Sequence, residues 1–241
     1  MNYINQYKLI QQMVRGIKLD SRSFLAEVDR QAVAKALKRT KDGLPKPILC
    51  TKEPVEEKNF ARLPPSVKRK LSRIHQTLID PPKGSAEVLP ELLQLREQHP
   101  NVPTIANYIG LVYANSGQAQ KYFDHSVDTI RRFPDYLFGK TALAEYYLHS
   151  GRHKEVPKVL EGKLQIYMHY PPTVKVFHCS EVRAFYATVG TYFARSNKTV
   201  RALHCYFVLE SADPEHWAVT NLANEIMLKE VQKLRERMRQ Y

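Results

Sequence analysis

The 241-residue chain is 43% apolar and 25% charged, enough apolar material for a buried core, which excludes a disordered polyelectrolyte. Its 37 Lys and Arg exceed 24 Asp and Glu, giving a formal net charge of +13, and its low count of 9 Gly beside many Leu, Ala, Lys and Gln favours helix. Nothing approaches the roughly 18 consecutive apolar residues of a membrane-spanning helix, so no transmembrane segment is expected.

At the amino terminus, Tyr3, Tyr7, Ile10, Val14 and Ile17 recur at spacings of four, three, four and three, the pattern of one face of an amphipathic helix over 3–17. The window Met1 to Lys18 has no continuous apolar stretch and no small-residue cleavage site, which argues against a secretory signal. It is free of acidic residues, as an organellar presequence is, but holds one Arg and no Ser. The expected location is cytoplasmic, with an organellar matrix as the alternative. Cys50, Cys179 and Cys205 are odd in number, far apart and without CxxC spacing, so a disulfide framework is not expected and a reducing compartment fits.

Asp20 to Ser23 offers side-chain oxygens to cap a second helix, from Phe24 to about Lys41, with Leu25, Val28, Ala32 and Leu37 inward and Lys35, Lys38, Arg39 and Lys41 in its last turns. Gly43 ends it. Residues 1–43 therefore read as a basic helical hairpin, and 44–65, with five prolines and no sustained period, as a linker. Residues 1–75 carry 17 basic and 7 acidic side chains. The densest cluster there is Lys68, Arg69, Lys70 and Arg73. A patch of this kind attracts phosphate, an anionic membrane or an acidic protein surface by the same Coulomb attraction. A solvated surface that only maintains solubility would look the same.

Over 66–241 the pattern becomes helical segments of about a dozen residues with short breaks, the signature that prompts a search for repeats. Tyr113-Ala-Asn-Ser-Gly117 aligns with Tyr147-Leu-His-Ser-Gly151 at a shift of 34 residues, and Gly110 to Pro134 spans the same 24 residues as Gly190 to Pro214. These spacings resemble the tetratricopeptide repeat. In that phase, unit 103–136 supplies Ile109-Gly110, Tyr113, Gly117 and Pro134. Unit 137–170 supplies Leu143-Ala144, Tyr147 and Gly151. Unit 183–216 supplies Tyr186, Val189-Gly190, Phe193, Ala202, Leu209 and Pro214. A looser unit, 69–102, keeps Leu92, Leu95 and Pro100 in phase, and 217–239 reads as a capping helix. The resemblance implies an all-α, right-handed α-solenoid of helical hairpins preceded by the basic amino-terminal region. Tyr122, Val156, Thr129 and Lys163 stand where the family favours Ala, so the middle of such an array is less regular.

The step from Ala144 to Gly190 is 46 residues rather than 34, which places 12 inserted residues at 171–182. An insertion of this kind falls at a turn and can form part of a binding edge. The alternative is a second helix of unit two that runs long, through Tyr167, Met168 and Tyr170.

The resemblance further implies a concave face lined by fixed positions of each first helix. Here these supply Thr104, Asn107, Leu111 and Asn115; then Phe138, Thr141, Glu145, Leu148 and His149; then Thr191 and Arg195. The Lys, Asn and Arg clamp with which one subgroup reads a terminal carboxylate is missing. A mixed apolar and amide-bearing surface suits an extended peptide or a partner helix. His178-Cys179 and His204-Cys205 could form a zinc ligand set by type, but adjacent side chains on a helix diverge by about 100°. No phosphate-loop, zincin, nucleophile-elbow or dinucleotide fingerprint occurs, and no catalytic residue, metal or cofactor is expected. The sequence therefore reads first as a non-enzymatic protein-binding adaptor or scaffold, with client-specific or secretion-type chaperoning as variants. The alternative is a nucleic-acid or ribonucleoprotein-associated factor using the basic region.

Overall fold

The computed structural model describes residues 20–40, 45–53, 57–79 and 85–240. The helix expected over 3–17, together with Lys41 and Gly43, lies outside them. The described chain is mostly helical, as expected from its composition. Its helices are α1 (Ser21–Ala26), α2 (Arg30–Lys38), α3 (Lys58–Ala61), α4 (Pro65–Ile79), α5 (Leu89–Gln98), α6 (Pro103–Asn115), α7 (Ala119–Arg132), α8 (Leu137–His149), α9 (Val156–Val159), α10 (Cys179–Arg195), α11 (Thr199–Ala212) and α12 (Trp217–Met238). Strands β1 (Leu49–Thr51) and β2 (Val176–His178) pair in parallel, and 3-10 turns occupy Ser85–Val88, His153–Glu155 and Ile166–His169.

The single helix expected from Phe24 to Lys41 is two helices. Asp20 caps α1 by accepting from the Arg22 amide, and Asp29 opens α2 by accepting from the amides of Gln31 and Ala32. An aspartate in the extended region just before a turn competes with helix continuation in this way. The segment expected as a linker contains β1 and α3. The amino-terminal helices pack on the far end of the chain, α1 against α12 and α2 against α11. Phe24, Leu25, Val28, Val33 and Leu37 accordingly belong to the same apolar cluster as Phe185, Leu203, Leu222 and Ile226.

From α6 onward, consecutive long helices pack in order: α6 on α7, α7 on α8, α8 on α10, and α10 on both α11 and α12. One turn ends each of α6, α8 and α10. Gly117, Gly151 and Asn197 have φ of 67°, 74° and 57°. The amide after each bonds the carbonyl five residues back: Gln118 to Tyr113 at 2.9 Å, Arg152 to Tyr147 at 2.7 Å, and Lys198 to Phe193 at 2.8 Å. Helix ends of this left-handed kind satisfy otherwise orphaned carbonyls. Asn takes the third position because it tolerates positive φ better than other residues with a Cβ.

After the second of these turns the pattern breaks. Where a full second helix was expected, the chain makes a 3-10 turn and the four-residue α9. Glu161 and Gly162, at φ 55° and 72°, then end helical progress. The long-helix alternative through Tyr170 is likewise not what forms, since Ile166–His169 is a single 3-10 turn. The insertion that follows supplies β2.

A second apolar cluster, with Leu71, Ile74, Leu78, Leu92, Leu95, Ile105 and Ile109, is built from α4, α5 and α6. Between the two clusters lies α7, whose buried residues are polar: His125, Ser126 and Thr129. Each has a partner. His125 Nε2 donates to the Ala106 carbonyl at 2.7 Å, while Ser126 and Thr129 donate back to the carbonyls of Tyr122 and His125 at 2.7 and 2.8 Å. A buried polar layer is tolerable only when satisfied in this manner.

Candidate protein-binding face

The residues expected to line a concave face fall into two groups. Thr141 and Leu148 are buried, and Arg195 holds the framework: it forms a two-bond pair with Glu225 of α12 at 2.8 and 3.0 Å and donates to the Leu148 carbonyl at 2.5 Å. Asn115 donates to the Leu78 carbonyl at 3.1 Å, tying α6 to α4. Burial raises the Glu145 carboxyl above the ordinary range, against the lowering influence of His149 and of the neighbouring Tyr122 phenol. Thr104 lies beside the Tyr136 phenol. Half-buried Asn107, Leu111, Phe138 and Thr191, with exposed His149, are the members left facing outward.

Aromatic side chains that the sequence reading did not single out gather beside these residues. His75 of α4 stacks on Tyr108 of α6 at 5.3 Å, and Tyr136 lies 5.7 Å from Phe138. Tyr170 donates to Glu181, and its ring meets Phe177 edge-on at 5.2 Å. Burial pushes the Tyr108 phenol up to about 12 and the Tyr136 and Tyr170 phenols further still, so all three stay protonated and can donate. Arg183 and His178, at the start of α10, both act electrostatically on His75 and lower it, after burial. The His75–Tyr108 stack thus ties α4 to α6. Tyr136 and Tyr170 stand 34 residues apart, the same shift that separates Tyr113 from Tyr147.

The start of α10 is fixed by a capping box, in which His178 accepts from the Ser180 amide and Glu181 from the His178 amide, both at 3.2 Å. Arg183 pairs with Asp213 at 2.5 Å. The sequence pair His178-Cys179 therefore serves a helix start, and Cys205 is buried. Among the described residues no group of three or more His, Cys, Asp or Glu is placed to hold a metal ion.

The basic residues do not share one supporting surface. Lys35, Lys38 and Arg39 end α2, which belongs to the larger apolar cluster; Lys68, Arg69, Lys70 and Arg73 lie on α4, which belongs to the smaller. Lys70 and Arg73 both pair with Glu91, at 3.6 and 2.7 Å, and Lys68 lies 5.7 Å above the Phe60 ring. Lys35, Lys38, Arg39 and Arg69 are exposed.

A cavity of about 270 Å³ opens between α2 and α11, bounded by Leu37, Tyr167, Phe193, Arg201 and His204. No described helix is long and apolar enough to cross a membrane. Comparison with protein-family models, with curated proteins and with solved structures finds no match.

Proposed function

We propose that this chain is a non-enzymatic adaptor or scaffold of tetratricopeptide type, holding a peptide or helix of another protein along the face of α6, α8 and α10. The observation that carries the reading is the threefold recurrence of one turn, at Gly117, Gly151 and Asn197, each following a helix with a small buried residue at the same earlier position. Those residues are Gly110, Ala144 and Gly190. Repetition of a hairpin unit stacks helices side by side and generates a continuous face with regularly spaced side chains. On that face Asn107 offers an amide to a bound backbone, and Leu111 and Phe138 offer apolar contact. Client-specific chaperoning is one form such binding takes.

A photo-crosslinking residue placed at Asn107 or at Phe138 of the full chain, in nuclease-treated lysate, tests this. Discrete polypeptide adducts at both sites, absent when the probe stands at exposed Glu97, are the expected result. Equal labelling at all three sites overturns it.

The exposure of Lys35, Lys38, Arg39 and Arg69 supports a second reading, association with nucleic acid. Four such phosphate contacts give a log-log salt slope near about −4 on duplex DNA. A flat salt response removes that reading.

A further inference from the structure

The parallel register pairs Leu49 with Val176, Cys50 with Phe177 and Thr51 with His178. Cys179 follows two residues after Phe177, where β2 passes into α10, and β1 packs against α10 as well. Two cysteines remote in sequence are thus brought together at the end of the β1–β2 ribbon, where the Cys50 thiol feels the Cys179 thiol electrostatically. Their surroundings differ: Cys50 is exposed, whereas Cys179 is buried with its sulfur 3.9 Å from the Ala212 carbonyl. An accessible thiol beside a sheltered one is the arrangement in which the first is attacked and the second resolves.

We propose that Cys50 and Cys179 are a reversible thiol–disulfide modification site, closed by a glutathione-type disulfide and reopened by excess thiol. The Cys50 thiolate attacks one sulfur of the oxidant, forming a mixed disulfide and releasing one thiolate. The Cys179 thiolate then attacks the Cys50 sulfur, forming the intrachain bond and releasing the second. Two protein thiols are oxidised, one small disulfide is reduced to two thiols, and the two protons pass to the departing thiolates. Partial desolvation at the ribbon and the neighbouring thiol hold Cys50 above the ordinary thiol range, so the first step quickens as pH rises. The bond fastens the segment 45–53, between α2 and α3, to the start of α10. Three-residue strands make a short ladder, and the covalent tie would decide whether this segment stays on it.

The test incubates the full chain with oxidised glutathione, blocks free thiols by alkylation and maps tryptic peptides without reduction. One cross-linked pair containing Cys50 and Cys179 is expected, with Cys205 unlinked and the crosslinked-to-reduced ratio at least about tenfold higher than in concentrated urea. Cys179→Ser should leave Cys50 as a stable glutathione adduct, and Cys50→Ser should leave Cys179 unmodified. Wild-type chain that stops at the Cys50 adduct, dimerises through Cys50, or crosslinks equally in urea overturns the proposal.

Discussion

Burial holds the imidazoles of His75, His125, His169, His204 and His216 below the ordinary histidine range. The folded chain therefore resists protonating them, while the unfolded chain takes up protons as pH falls past about 6.5. Their contribution to stability is complete above that value and is lost as pH falls through the interval down to each folded value. Glu145 has the opposite sign: its carboxyl is raised by burial, so the folded chain binds its proton more readily, and stability is regained as pH falls towards about 4.5. Each unit of depression at one imidazole is worth about 1.4 kcal/mol. Five imidazoles outweigh one carboxyl, so the urea midpoint should drop on going from about pH 7.5 to about pH 5.5. Glu145→Gln removes the compensating carboxyl, and its drop should be steeper than that of the wild type. Parallel drops in the two proteins would mean that Glu145 is not buried against Tyr122.

At the scale of elements, Gly110 and Gly190 each stand seven residues before a left-handed turn residue and look interchangeable in the sequence, yet their surroundings differ. A Cβ at Gly190 would lie 2.5 Å from Leu222 Cδ2 and 2.9 Å from Cys205 Cβ, whereas one at Gly110 would meet nothing closer than His125 Cδ2 at 3.5 Å. Gly190→Ala should cost about 1–3 kcal/mol through overpacking of α10 against α11 and α12. Gly110→Ala should be neutral or stabilising by up to about 1 kcal/mol through helix propensity. Thermal unfolding of the two variants checks this, and an equal loss in both would be the contrary result. The long helices from α6 to α8 and from α10 to α12 were legible, because period and turn residues are properties of local sequence. What failed was decided by competition between neighbours. Asp29 captured two amides and split a helix, and Glu161-Gly162 turned the chain where apolar spacing continued. Asn107, Leu111, Phe138 and Thr191 were legible as candidate lining positions only through the family resemblance, and each is half-buried. That Arg195 is spent on Glu225 and Leu148 was not, because its partners lie on other helices.

For the molecule as a whole, the basic amino-terminal helices are not a detached arm. Arg30 of α2 pairs with Glu210 of α11 and lies 4.5 Å from the centre of the Phe207 ring, and Leu25 of α1 is 1% exposed among the residues of α10 to α12. A fragment beginning at residue 66 would strip this cover from α11 and α12, so binding is better measured on the full chain. The apolar clusters divide differently from the sequence segments: one joins α1 and α2 to the helices from α8 to α12, the other holds α4 to α6, and the polar layer of α7 lies between them. Leu25→Ala should therefore destabilise the carboxy-terminal half, by about 2–5 kcal/mol. Hydrogen exchange followed by mass spectrometry locates the effect. Peptides from α11 and α12 should lose protection together with α1, while those from α4 and α5 keep theirs, because a cavity at Leu25 removes contacts from the larger cluster alone. Unchanged protection across α12, with loss confined to α1, would mean that the amino-terminal helices rest on the carboxy-terminal ones without stabilising them.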